Sequence, residues 1–239
     1  MKHKMVKHKK LLIILGIMAV IISIAAAVYI NDYYRALPEA VSVADEMEKE
    51  DGNLYFRGQN KTGFIIYPGG KVDEKAYSLL AKGLHEHGYT VAIAKAPLHL
   101  SIFNSNLAKP IIDHNPQIEQ WVIIGHSLGG TSASIYVNEY PEKIKGLVFL
   151  GSYPYKDLSK ENILALSIMG SNDHVLNKKK AEKAKNYYPE NTRYEVIQGG
   201  NHAGFGNYGP QKGDGVSEIT VQEQQAQTIN LILEYMSGN

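Results

Sequence analysis

The sequence predicts an α/β protein: a mostly parallel central sheet with helices on both faces, preceded by one N-terminal transmembrane helix. Three observations carry this. From Asn53 onward, short apolar runs alternate with segments of helical period, the pattern of a sheet buried on both faces. Leu11 to Ile30 (LLIILGIMAVIISIAAAVYI) contains no charged residue. The 239-residue chain, 44% apolar and 21% charged, is large enough to bury a core, and it contains no Cys. The missing Cys excludes a disulfide scaffold, a zinc finger, an iron–sulfur protein, a Cys nucleophile and a lipoprotein anchor.

Residues 1–10 form a basic region with five Lys: Lys2, Lys4, Lys7, Lys9 and Lys10. Residues 11–30 follow as a transmembrane anchor or signal segment. As a helix they span about 30 Å, the thickness of a bilayer's hydrocarbon core. With Asp32 and Arg35 nearly cancelling behind it, the positive-inside rule puts residues 1–10 in the cytoplasm and the rest outside. A cleaved signal has an apolar core of about 7–15 residues. The longer run here favours an uncleaved single-pass anchor in the cell membrane, with secretion after cleavage near Ala25-Ala26-Ala27 as the alternative. Removing the five leading Lys from 25 basic residues leaves 20 against 24 acidic, a net of −4 on residues 31–239. That balance argues against nucleic acid as a partner. Residues 31–51 read as a linker, broken by Pro38 and acidic at its end, with Ala40, Val43, Ala44 and Met47 at the spacing of a short helix.

The catalytic candidate is residues 52–239. Strands are predicted at Thr62–Tyr67, Tyr89–Ala94, Gln120–Ile124, Ile144–Leu150, Ile163–Met169 and Arg193–Ile197. Helices are predicted at Glu74–His87, Leu128–Tyr140, Lys178–Tyr188 and Val221–Met236. Residues 98–116 are irregular, with short helices expected before Pro110 and before Pro116. Ligands of such sheets bind beyond the C-terminal strand ends, so residues just after strands carry the chemistry.

Gly125-His126-Ser127-Leu128-Gly129-Gly130 contains G-x-S-x-G between an apolar strand and a helix. This is a strand–turn–helix elbow that lifts Ser127 above the sheet edge. A Ser hydroxyl needs a base, and the base an orienting carboxylate. Asp173, in GSNDHV, and His202, in QGGNH, each lie just past a strand, and the chain order is Ser, Asp, His. His174 adjoins Asp173 but points elsewhere on the turn. His126 packs beside the elbow, and Asp157 is the alternative acid. His85 and His87 end a helix, where H-x-H has no third metal ligand in sight.

On these residues the sequence resembles the α/β-hydrolase superfamily. GHSLGG resembles its nucleophile elbow, GSNDHV its acid turn and GGNHAGFG its histidine loop. The resemblance covers about residues 53–239 and is greatest to small bacterial esterases of the dienelactone-hydrolase-like branch. It implies Ser127 as nucleophile, His202 as general base then acid, and Asp173 as orienting acid, without metal or organic cofactor. An oxyanion hole is expected from the Leu128 amide and a second amide in Tyr67-Pro68-Gly69-Gly70-Lys71, with Gly70 first and Lys71 second. Gly199 to Gly215, with seven Gly in 17 residues, is expected to wall the site on one side. Residues 98–116, with Leu98, Leu100, Ile102 and Phe103, are expected on the other.

The expected activity is a serine hydrolase cleaving small-molecule or lipid carboxylic esters through an acyl-enzyme. Two alternatives remain: acyl transfer to a lipid or cell-wall component, which requires a closed site, and a non-catalytic binding module on the same scaffold.

Overall fold

A computed structural model of the chain describes residues 2–237. The chain divides into two compact units, with the boundary between Tyr33 and Tyr34. The first is one helix, α1 (Lys2–Asn31), whose stretch Ile13–Asn31 is long and apolar enough to cross a membrane.

The second unit is the sheet and its covering helices. Its elements are α2 (Pro38–Asp45), β1 (Glu48–Glu50), β2 (Asn53–Phe56), β3 (Thr62–Tyr67), α3 (Ser78–His85), β4 (Thr90–Ile93), α4 (Ala108–His114), β5 (Gln120–His126), α5 (Leu128–Glu139), β6 (Ile144–Leu150), β7 (Leu164–Gly170), α6 (Lys178–Lys183), β8 (Thr192–Ile197) and α7 (Val221–Ser237). The strands form one sheet of eight, in the order β1-β2-β4-β3-β5-β6-β7-β8. β1 and β2 are antiparallel to their neighbours, and the pairings from β4 to β8 are all parallel. The expected mostly parallel sheet is therefore observed, and each of the six expected strands appears with its ends moved by at most two residues.

Successive strand residues point to opposite faces, so each central strand feeds two cores. In β3, Phe64 and Ile66 join Leu80 and Leu84 of α3 and Ile232 of α7 on one face. Ile65 and Tyr67 join Trp121, Ile123 and Val137 of α5 on the other. Burying each such side chain contributes roughly 1.5–3 kcal/mol, which fixes the register of the strands that carry the site.

Three local readings change. Of the segment expected as a linker over 31–51, residues 34–51 belong to the second compact unit. Pro38 opens α2 rather than breaking it, because its fixed φ suits the first helical turn. Ala40, Val43, Ala44 and Met47 are buried. β1 and β2 lay outside the expected strands. β1 is the charged tripeptide Glu-Lys-Glu on the sheet edge, where Arg57 Nε donates to Glu48 Oε2 at 2.6 Å and its Nη2 to Glu50 Oε2 at 2.5 Å. Pro110 does not end a helix; it sits in the first turn of α4, where its missing N–H would have had no intrahelical partner. Single 3-10 turns at Pro97–His99, Ser101–Phe103 and Ser105–Leu107 precede it.

Candidate active site

β5 runs straight into Ser127, which has φ 51° and ψ −121°. A non-Gly residue is held at such an angle only when its surroundings overdetermine it. Those surroundings are tight. Ser127 N–H donates to the Leu150 carbonyl at 2.9 Å, extending the sheet. Ser152 Oγ donates to the Ser127 carbonyl at 2.6 Å. A Cβ on Gly125 would lie 2.2 Å from the Gly130 Cα, and one on Gly129 2.2 Å from the Tyr67 carbonyl oxygen. Only Gly fits on either side of the elbow, as G-x-S-x-G requires.

Asp173 follows β7 and His202 follows β8. Asp173 Oδ2 lies 2.8 Å from His202 Nδ1, and both side chains are almost fully buried. The other carboxylate oxygen, Oδ1, accepts from the Val175 and Leu176 amides at 2.9 and 2.8 Å. A carboxylate gripped this way presents one oxygen to the imidazole and fixes its Nδ1–H tautomer. His202 Nε2 then carries a lone pair; it is buried and makes no hydrogen bond among the described residues. Ser127 and His202 line one cleft of about 220 Å³, together with Leu128, Thr131, Ser152 and Leu176. The arrangement can take a proton from a hydroxyl in that cleft.

Asp173 is thus bonded to His202, and His202 shares a cleft with Ser127 without a hydrogen bond between the two. His174 and Asp157 are exposed. Asp157 caps the Ser159 amide at 3.0 Å. His85 donates to the Tyr89 carbonyl and stacks on Phe56 with ring centroids 5.0 Å apart. Among the described residues no three His, Asp or Glu side chains are placed to hold a metal. His126 is buried beside the elbow.

For the oxyanion loop, the Lys71 amide donates to the His99 carbonyl at 2.7 Å and is spent. The Gly69 amide donates to Tyr77 Oη at 2.8 Å. Gly70 lies against Leu128: a Cβ there would be 3.0 Å from Leu128 Cδ2. Lys71, Leu98, His99 and Ser127 all have positive φ, so strain gathers around this end of the sheet.

The walls differ from expectation. The cleft is bounded by Gly151–Tyr153 after β6 and Val175–Asn177 after β7, with His202 the contribution of the glycine-rich loop. Leu98, Ile102 and Phe103 are exposed, and Leu100 reaches toward Gly70 instead. The Gly199–Gly215 loop is pinned: Asn201 N–H donates to Gln224 Oε1 at 3.0 Å, Gln224 Nε2 donates to the Asn201 carbonyl at 2.7 Å, and Ala203 N–H donates to Asp214 Oδ2 at 2.9 Å. Gln224 is fully buried in α7 and its role had no signal in the sequence. The same holds for Ser152 and Tyr77, which reach the site through tertiary packing.

Solved structures of the same shape include the carboxylesterase CesB from Bacillus subtilis, with TM-score 0.61, 10% identity, and 84% of this chain and 95% of that one covered. They also include MGS-MChE2, an alpha/beta hydrolase enzyme from the metagenome of lagoon sediments at Mar Chica, Morocco (TM-score 0.60, 20% identity, 79% and 98% covered). Est1E from Butyrivibrio proteoclasticus is a third (TM-score 0.58, 14% identity, 80% and 98% covered). At these identities the likeness is one of fold. No curated protein sequence matches the chain. The sequence model of the alpha/beta hydrolase family matches residues 63–226, which run from β3 into α7 and hold the elbow and both loops beyond it. On that match, over more than half of its length, the chain belongs to the alpha/beta hydrolase family.

Proposed function

We propose that the protein is a serine hydrolase that cleaves carboxylic esters. Ser127 Oγ attacks the acyl carbon while His202 Nε2 takes its proton, and Asp173 holds the resulting imidazolium. The amides of Leu128 and Gly70 stabilise the oxyanion. His202 then protonates the departing alcohol and activates a water that releases the acid. The observation that carries this reading is the buried, unpartnered His202 Nε2, backed by Asp173 and sharing one cleft with Ser127.

We place residues 1–10 in the cytoplasm, 11–30 across the membrane and the hydrolase unit outside. The five Lys before an uncharged span support that orientation. The anchored enzyme would meet small-molecule or lipid esters at the outer surface.

The test is intact-mass labelling of the full chain in detergent with a fluorophosphonate probe, beside Ser127→Ala and His202→Ala. One adduct on the wild type, absent from both variants, supports the hydrolase. No adduct on a folded wild type sinks it and leaves a binding module on the same scaffold.

A further inference from the structure

Beside the elbow, groups with no part in the proposed chemistry form an unbroken hydrogen-bonded chain. The Gly69 amide donates to Tyr77 Oη at 2.8 Å. Tyr77 Oη lies 2.7 Å from His126 Nδ1. His126 Nε2 lies 3.1 Å from the His202 carbonyl oxygen. Tyr77 and His126 are both buried.

Donor and acceptor rules fix every direction in this chain. A carbonyl only accepts, so His126 Nε2 carries a proton. The Tyr77 oxygen already accepts from Gly69, and its single proton has His126 Nδ1 as acceptor. Nδ1 is therefore a lone pair and His126 is the neutral Nε2–H tautomer, with each proton used once. A cationic ring would turn an N–H on the Tyr77 oxygen and strand the phenol proton in the interior. Burial above all, with the His202 ring beside it, holds the His126 pKa well below the usual imidazole range. Burial pushes the Tyr77 phenol up. The titratable groups facing His126 are Tyr77, Tyr208 and His202, with Asp173 behind the last.

We propose that Tyr77 and His126 are positioning residues that lock three loops of the active site into one register. The ties run to the oxyanion loop through Gly69, to the elbow through His126 itself, and to the histidine loop through the His202 carbonyl. The proposal rests on the serine-hydrolase reading. The oxyanion loop sits directly on the pair: a Cβ on Gly69 would lie 2.8 Å from His126 Nδ1 and 3.0 Å from Tyr77 Oη. With the Gly69 amide drawn to Tyr77 and the Lys71 amide to His99, the Gly70 amide between them stays available for an oxyanion. Neutrality also matters. The His126 and His202 ring centroids are 4.6 Å apart, so a cationic His126 would oppose the imidazolium that forms on His202.

The experiment uses the full chain in detergent with His126→Gln, His126→Leu and Tyr77→Phe. Gln offers a carbonyl oxygen for the Tyr77 proton and an N–H for the His202 carbonyl; Leu offers neither. The readouts are kcat and KM on p-nitrophenyl butyrate, and nitrogen NMR of the 15N-histidine chain. Misplaced loops should cost kcat roughly tenfold to a hundredfold in His126→Leu and Tyr77→Phe, with KM within about threefold of wild type. His126→Gln should recover most of that loss. One ring signal, missing in His126→Gln, should report a neutral Nε2–H tautomer between about pH 5 and 8. Wild-type kcat in His126→Leu, no rescue by Gln, or an Nδ1–H or cationic ring overturns the proposal. If His126→Leu does not fold, Tyr77→Phe, His126→Gln and the NMR decide. A wild type that neither labels nor turns over overturns the hydrolase reading, and the ring signal then decides whether the hydrogen-bonded chain exists.

Discussion

Gly151 lies against the imidazole of His202. A Cβ at 151 would sit 2.8 Å from His202 Nδ1 and 2.9 Å from Asp173 Oδ2, the two atoms that face each other across the buried hydrogen bond. Gly151 also has φ 51°, which disfavours any side chain. Gly151→Ala should therefore push the imidazole off the carboxylate. The expected result is a fluorophosphonate labelling rate lower by about a hundredfold, since an ångström of misplacement costs that much. A near-normal rate in Gly151→Ala would mean that the Asp173–His202 contact is not needed for activation.

The acid can be tested without moving the base. Asp173→Asn keeps shape but loses the negative charge and the acceptor that fixes the His202 tautomer. In a serine triad that substitution costs about ten-thousandfold in kcat. Asp157→Asn should stay within about twofold, because Asp157 is exposed and its carboxylate caps the Ser159 amide. Ester turnover by the two variants, side by side, decides between the acids. Loss in Asp157→Asn with Asp173→Asn active would reverse the assignment.

Glu74 gives a prediction about stability. Its carboxylate is buried just past the oxyanion loop, bonded to Lys95 Nζ and 3.6 Å from His99 Nδ1. Burial alone would raise its pKa, but His99 and Lys95 outweigh burial and hold it down to about 2 from 4.5. A depressed folded-state pKa stabilises the protein above the unfolded value and stops doing so as pH falls through the folded one. The contribution near neutral pH is on the order of 3 kcal/mol. Glu74→Gln should melt well below wild type at pH 7, and the two melting curves should converge as pH drops from 4.5 toward 2. A gap that is constant with pH would show that the loss comes from packing rather than charge.

The contrast between Ser127 and Tyr77 shows what the sequence holds and what it hides. Ser127, Asp173 and His202 could be located because each follows an expected strand, and strand ends converge in a parallel sheet whatever the details of packing. The central strands were legible for the same reason: a run such as TGFIIY is buried on both faces. β1 was not, because a charged Glu-Lys-Glu edge strand has no apolar pattern and its two Glu side chains find their partner, Arg57, only in the folded sheet. Tyr77, Ser152 and Gln224 come from a helix start, a loop and the last helix. No local pattern marks them; they act through hydrogen bonds between segments 25 or so residues apart and more. The bond from the Lys71 amide to the His99 carbonyl is another of this kind.

Leu176 stands between two spaces at the Ser127 end of the sheet. It is 8% exposed and lines the Ser127 cleft on one side and a cavity of about 460 Å³ on the other. That cavity lies between α6 and the β7–β8 end of the sheet, against Met169, Tyr188, Tyr194 and Val196. Leu176→Ala should join the two spaces and Leu176→Phe should keep them apart. Each methylene newly buried is worth about 0.8 kcal/mol, close to fourfold, so two accommodated methylenes exceed tenfold. The ratio of kcat/KM for p-nitrophenyl octanoate over butyrate should therefore rise by about tenfold or more in Leu176→Ala and not in Leu176→Phe. Truncating a buried Leu costs roughly 2–5 kcal/mol of stability, so the assay belongs at low temperature, on protein whose melt confirms that it is folded. An unchanged chain-length profile in folded Leu176→Ala would place the acyl chain elsewhere and leave the larger cavity unconnected to the ester site.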